Sequence, residues 1–123
     1  MSDPKVDSQI RALKTELRNM KYSGRWNQEL LQNGDPSIYL PITHFLILEY
    51  NQNLVSKIAE KGYAMQTATD QEFVTNSMKI LKEECNFSTK LSVINFFKPK
   101  FALQKTEFLL NAAKAVRSYG TKF

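Results

Sequence analysis

A chain of 123 residues is long enough for one domain whose core buries roughly two thirds of the surface the unfolded chain would expose. An apolar fraction of 42% beside 24% charged residues excludes a disordered chain, four glycines disfavour a turn-rich sandwich or barrel, and the single cysteine, Cys85, excludes an intrachain disulfide or multi-cysteine zinc site and points to a reducing compartment. The net charge of +5 is uneven: residues 1–30 carry six basic and four acidic groups, 31–85 four and seven, and 86–123 seven and one, an asymmetry that points to an acidic partner.

Ile10, Leu13, Leu17 and Met20 recur at three- and four-residue spacing and predict a first helix with one apolar face and Gly24 as its stop. A short second helix is expected over 26–32, ending at Asn33-Gly34, after which Asp35-Pro36 supplies a capping oxygen and a proline tolerated in a first turn. Pro41 predicts a break, with the turn after Pro36 stopping near Leu40 and a new helix starting at Pro41. Ile42 to Tyr50 is apolar on almost every side, with Phe45, Ile47 and Leu48 pointing in different directions, as a buried central helix should be. Asn51 is placed to cap a continuation carrying Leu54, Val55 and Ile58 that ends near Lys61-Gly62. Thr69-Asp70-Gln71-Glu72 reads as a capping box opening a helix with the stripe Val74, Met78, Leu81 and Cys85. A short apolar piece follows with Leu91, Val93, Ile94, Phe96 and Phe97, and Pro99 separates it from a last helix from about Lys100 to Ser118. The solvent stripe of that helix is Lys100, Gln104, Glu107, Asn111, Lys114 and Ser118. With neither an internal repeat nor a sustained heptad, the expectation is one all-α domain, 1–123 with an ordered core of about 5–118, built from six or seven helices.

The chemistry points away from catalysis. His44 is the only histidine and lies in the most apolar helix, where it reads as a packed or edge residue, and Cys85 shares its stripe with hydrophobes and reads as a small buried hydrophobe. Gly34 and Gly62 stand outside any phosphate-binding loop, and Glu83-Glu84 point about 100° apart on a helix. No cofactor or metal is expected, and neither is a membrane: residues 1–5 lack an apolar signal core, and apolar stretches such as Phe45 to Leu48 are far too short to span a bilayer. The pI near 9.4 satisfies the basic criterion for nucleic-acid binding, yet the aromatic RNA-binding signature is absent, which makes nucleic acid an unfavoured partner. The constellation that stands out is basic. Arg11, Lys14, Arg18 and Lys21 each follow the apolar stripe of the first helix by one residue, and Lys90, Lys98, Lys100 and Lys105 form a second cluster. Lys105 falls within the apolar arc of its helix, so its stem is expected to be partly buried with the ammonium reaching outward.

The order and spacing of Gly34-Asp35-Pro36, Leu40-Pro41-Ile42, Leu54-Val55-Ser56-Lys57-Ile58, Leu81-Lys82, Asn86-Phe87 and Thr89-Lys90 resemble the N-terminal domain of the centrosomal protein 44 family. The likeness runs from the first helix to about residue 118. It implies a calponin-homology-like helical fold, a place at the centrosome or centriole within the cytoplasmic cytoskeleton, and microtubule binding through basic residues. It also implies that the chain is the N-terminal part of a longer protein continuing into coiled coil. A lone domain ranks tubulin above actin, whose binders commonly carry tandem pairs. The microtubule contacts expected are Lys90, Lys98, Lys100 and Lys105, with Arg11, Lys14, Arg18 and Lys21 as a second or contiguous patch. The alternative is a docking module for another centriolar component, without direct microtubule binding, for which Trp26, Tyr39, Tyr63 and Phe123 are the candidate exposed aromatics.

Overall fold

A computed structural model describes residues 3–63, 65 and 69–120; Phe123, one of the candidate aromatics, lies outside them. The described residues form seven helices without a strand: α1 (Pro4–Asn19), α2 (Gln28–Gln32), α3 (Pro36–Leu48), α4 (Gln52–Lys61), α5 (Asp70–Glu84), α6 (Val93–Phe96) and α7 (Ala102–Ser118).

Local chemistry sets most of the boundaries. Asp3 accepts a hydrogen bond from the Lys5 amide at 2.8 Å and Pro4 occupies the first turn of α1, where the missing N–H has no helical partner to lose. Asn27 caps α2 through the Leu30 amide at 2.9 Å, so that helix starts two residues after Trp26. Asn51 accepts from the Asn53 and Leu54 amides to open α4, and Gly62 closes it in the left-handed conformation. The capping box of α5 is formed in both directions between Thr69 and Glu72.

Two local expectations give way. The first helix ends at Asn19 rather than at Gly24, because Lys21 itself takes a left-handed φ of 66° while its amide bonds to Arg18 O and the Tyr22 amide to Leu17 O. Pro41, in turn, does not break the chain, and α3 runs through it from Pro36 to Leu48. The ring removes one donor, toward the exposed Ser37, at a typical cost of about 3 kcal/mol. A continuous α3 buries Ile38, Tyr39, Ile42, Leu46 and Ile47, each worth about 1.5–3 kcal/mol, and that sum wins.

Helix α3 is the interior helix expected of this segment, packed by α2, α4, α5 and α7, with Ile47 buried and Phe45 and Leu48 half-buried. Helix α7 is equally central and lies along α1, against which Ile10, Leu13 and Leu17 contribute to the common core with Phe108, Leu109, Ala112 and Val116. On α5 the buried arc is Phe73, Val74, Ser77, Ile80 and Leu81, leaving Met78 and Cys85 at its half-buried margin. The arc is wider than one stripe because α5 meets α3, α6 and α7. Tyr39 is buried, not an exposed aromatic: its hydroxyl donates to Leu31 O at 2.7 Å.

Candidate functional site

At 100° per residue, Arg11, Lys14 and Arg18 fall within about 60° of one another, roughly a quarter-turn from the buried stripe of α1, and Lys21 follows just past the helix end. All four are exposed, Lys21 from the left-handed turn just past the helix. Asp7 begins the same line and accepts a hydrogen bond from Gln32 Nε2 at 3.0 Å, which ties the first turns of α1 to the end of α2. The opposite flank of α1 carries Glu16, whose carboxylate takes the guanidinium of Arg117 on α7. The three cations on the helix therefore look away from α7 and toward the α2 side.

The backbone of the second cluster also reaches the end of α2. Gly34 follows α2 in a left-handed conformation, φ 70°, with its Asp35 neighbour bonding back to Leu30 O, and the backbone of Lys100 passes so close that a Cβ at Gly34 would stand 2.4 Å from Lys100 O. Lys98, Pro99 and Lys100 are exposed on this segment. Lys90 lies across the first turns of α7, lining a groove with Thr89, Gln104, Glu107 and Asn111.

Lys105 is the exception and corrects the outward-reaching expectation. Its side chain is 0% exposed, and Nζ donates to Gly34 O at 2.6 Å and to Lys98 O while sitting 5.7 Å from the centre of the Tyr39 ring. Burial pushes its pKa down to about 8, with the Asp35 carboxylate working the other way. Asp35 caps α3 through the Ser37 amide, and that hydrogen bond holds its carboxyl below the usual range. Lys105 thus offers nothing to a partner directly; it clamps the segment that carries Lys98 and Lys100 onto the α2 corner.

The ion pairs among the described residues draw on His44, Lys57, Lys61 and Arg117, leaving Lys90, Lys98, Lys100, Arg11, Lys14, Arg18 and Lys21 in none of them. Exposed cations that the sequence did not single out include Lys5, at the start of α1, Arg25, whose charge reaches Asp35, and Lys79 and Lys82 on α5. Ile94 was also missed. It is 64% exposed although it sits in an apolar run, and helical spacing gives the reason: Val93, Phe96 and Phe97 share the inward face of α6 and turn residue 94 outward.

The remaining candidates for chemistry are tied up locally. A cleft of about 730 Å³ is lined by Asn53, Lys57, Glu84 and Cys85 among others. Its one carboxylate, Glu84, is paired with Lys61 at 2.6 Å, and burial pushes the Cys85 thiol up to about 11, far from a reactive thiolate. His44 is exposed, holds Glu49 at 3.0 Å and stacks on Phe73. Among the described residues, His, Cys, Asp and Glu form no group of three that could hold a metal ion, and no helix is long and apolar enough to cross a membrane. Of the candidate docking aromatics, Trp26 is half-buried against the core and Tyr63 is half-buried with its hydroxyl donating to Glu83.

Residues 5–122 match the model of a family described as "Centrosomal spindle body, CEP44". Among curated proteins, the chain is similar to "Centrosomal protein of 44 kDa" of Xenopus tropicalis, 25% identical over 116 residues, covering 94% of this chain and 30% of the relative. The Xenopus laevis protein of the same name matches to the same extent, and that of Rattus norvegicus is 22% identical over 107 residues, covering 87% and 28%. The chain therefore spans about 30% of the length of the curated relatives it matches.

Proposed function

Because this chain belongs to the centrosomal CEP44 family, matched over residues 5–122, we propose that it is a non-enzymatic, calponin-homology-like domain that binds microtubules at the centrosome. The observation that carries the reading is the set of seven exposed cations, Arg11, Lys14, Arg18, Lys21, Lys90, Lys98 and Lys100, none engaged in an ion pair among the described residues. Tubulin presents an acidic outer surface. An exposed ion pair is worth only about 0.2–1 kcal/mol, so affinity has to come from several cations held on one rigid frame. The α2 corner supplies that frame: Gln32 holds α1 to it, and Lys105 holds the 98–100 segment.

The test is co-sedimentation with microtubules, with actin filaments alongside, at several salt concentrations. The wild-type chain pellets at low salt and is released as the Debye length contracts from about 10 Å at 0.1 M toward about 3 Å at 1 M. Lys98→Glu with Lys100→Glu abolishes pelleting while the circular dichroism spectrum and melting curve stay unchanged, since both side chains are exposed. Wild-type protein that remains in the supernatant at low salt ends the reading and favours a docking module for another centriolar component.

A further inference from the structure

We propose that Ile94 is an apolar anchor of this interface, seated in a recess of the acidic partner surface while Lys90, Lys98 and Lys100 engage the acids around it; the inference rests on the microtubule reading above. Ile94, at 64%, is the large hydrophobic side chain left exposed among the described residues, whose other large apolar groups are buried or half-buried. Single exposed hydrophobes are common, so exposure by itself decides nothing. Rigidity and surroundings decide it.

The backbone beneath Ile94 is held from several sides. Ser92 caps α6 by accepting from the Asn95 amide at 3.1 Å, and Thr89 accepts from the Leu91 amide at 3.1 Å just before it. Phe96 is fully buried, with ring centres 5.1 Å from Phe97 and 6.4 Å from Phe108 of α7, both edge-on. Ile94 is thus presented outward on a fixed turn, and a β-branched side chain has little rotamer freedom left to lose on binding. The winding continues past α6 through Phe97 N to Ile94 O and Lys98 N to Asn95 O, both 3.3 Å, which puts Lys98 one turn beyond Ile94. Lys90 lies four residues before Ile94, Lys100 six after, and residues 86–106 contain no acid. An apolar knob flanked along the chain by Lys90, Lys98 and Lys100, with Glu107 the acid that shares the groove of Lys90, complements an acidic protein surface that offers one apolar recess, the arrangement in which a central anchor contributes affinity and the surrounding charge contributes steering.

The experiment is a microtubule-binding isotherm for the wild-type chain, Ile94→Ser and Lys98→Ala at several salt concentrations, with melting curves for all three. Ile94→Ser should leave the melting curve unchanged and weaken binding about tenfold at every salt, because the loss is of buried apolar surface and not of charge. Lys98→Ala should weaken binding most at low salt and flatten the salt dependence. Ile94→Ser that binds as tightly as wild type overturns the anchor and leaves the microtubule reading intact; wild type that fails to bind removes both. Two further outcomes overturn the choice of occupant: self-association of the wild type that Ile94→Ser abolishes in light scattering, or flotation with phosphatidylserine vesicles that depends on Ile94.

Discussion

Lys105 carries its charge where charge is costly, and the two carbonyls of Gly34 and Lys98 are what make the position tolerable. Replacing it by methionine keeps the stem and removes the donor, leaving the buried Gly34 oxygen without it, whereas Lys98 O keeps the Lys100 amide. A loss of about 1–3 kcal/mol is expected at neutral pH, together with weaker microtubule binding as the 98–100 segment loosens. The pH dependence has a definite sign. Burial lowers Lys105 from its usual 10.5 to about 8. Below pH 8 both folded and unfolded chains hold the proton, and the burial penalty is fully present. Between about 8 and 10.5 the folded chain has released the proton while the unfolded chain has not, so unfolding takes up a proton and stability rises with pH. Urea unfolding of wild type and Lys105→Met at pH 7.5 and 9.5 should therefore show the gap widening by about 1–2 kcal/mol at the higher pH, other titrations being common to both chains. A gap that stays constant would mean that Lys105 keeps an ordinary pKa.

At the scale of elements, the junction of α2, α3 and the approach to α7 depends on Gly34. An alanine there would adopt a φ of 70° against its preference and push its Cβ to 2.4 Å from a backbone oxygen, which has no flexible end to move aside. Gly34→Ala should cost about 2 kcal/mol or more in thermal unfolding, and microtubule binding should fall beyond what the loss of folded protein explains. An unchanged melting temperature would show that the 98–100 segment shifts freely. Elements closed by neighbours in sequence were legible before the structure: the Thr69–Glu72 box, the Asn51 cap and the Gly62 stop each involve residues within a few positions. Continuity through Pro41 was not, because the burial that offsets the lost hydrogen bond comes from α5 and α7, which are remote in sequence. The same distinction runs through the candidate site. Exposed cations on one flank of α1 follow from helical spacing, whereas the burial of Lys105 depends on Gly34, 71 positions away. Ile94 sits between these cases: spacing over Val93, Phe96 and Phe97 turns it outward once a helix is assumed over so short a run.

For the molecule as a whole, the decisive pairing is between its first and last helices. Gln32 and Gly34 link the start of α1 to the start of α7, and Arg117 reaches Glu16 across 101 positions, so the two helices run side by side in the same direction. This pairing has a consequence during synthesis on the ribosome. Helix α1 emerges first with Val6, Ile10, Leu13 and Leu17 uncovered, and their partner α7 emerges last, so the core stays open until nearly the whole domain has left the exit tunnel. Nascent chains arrested before α7 should be cut by protease throughout α1 and should recruit chaperones, while chains released far enough to free Ser118 should gain protection abruptly. Protection that builds up helix by helix would show instead that α2 to α5 make a stable unit without the closing pair. The domain is thus born with the apolar face of its first helix unguarded and becomes a finished object only in one late step.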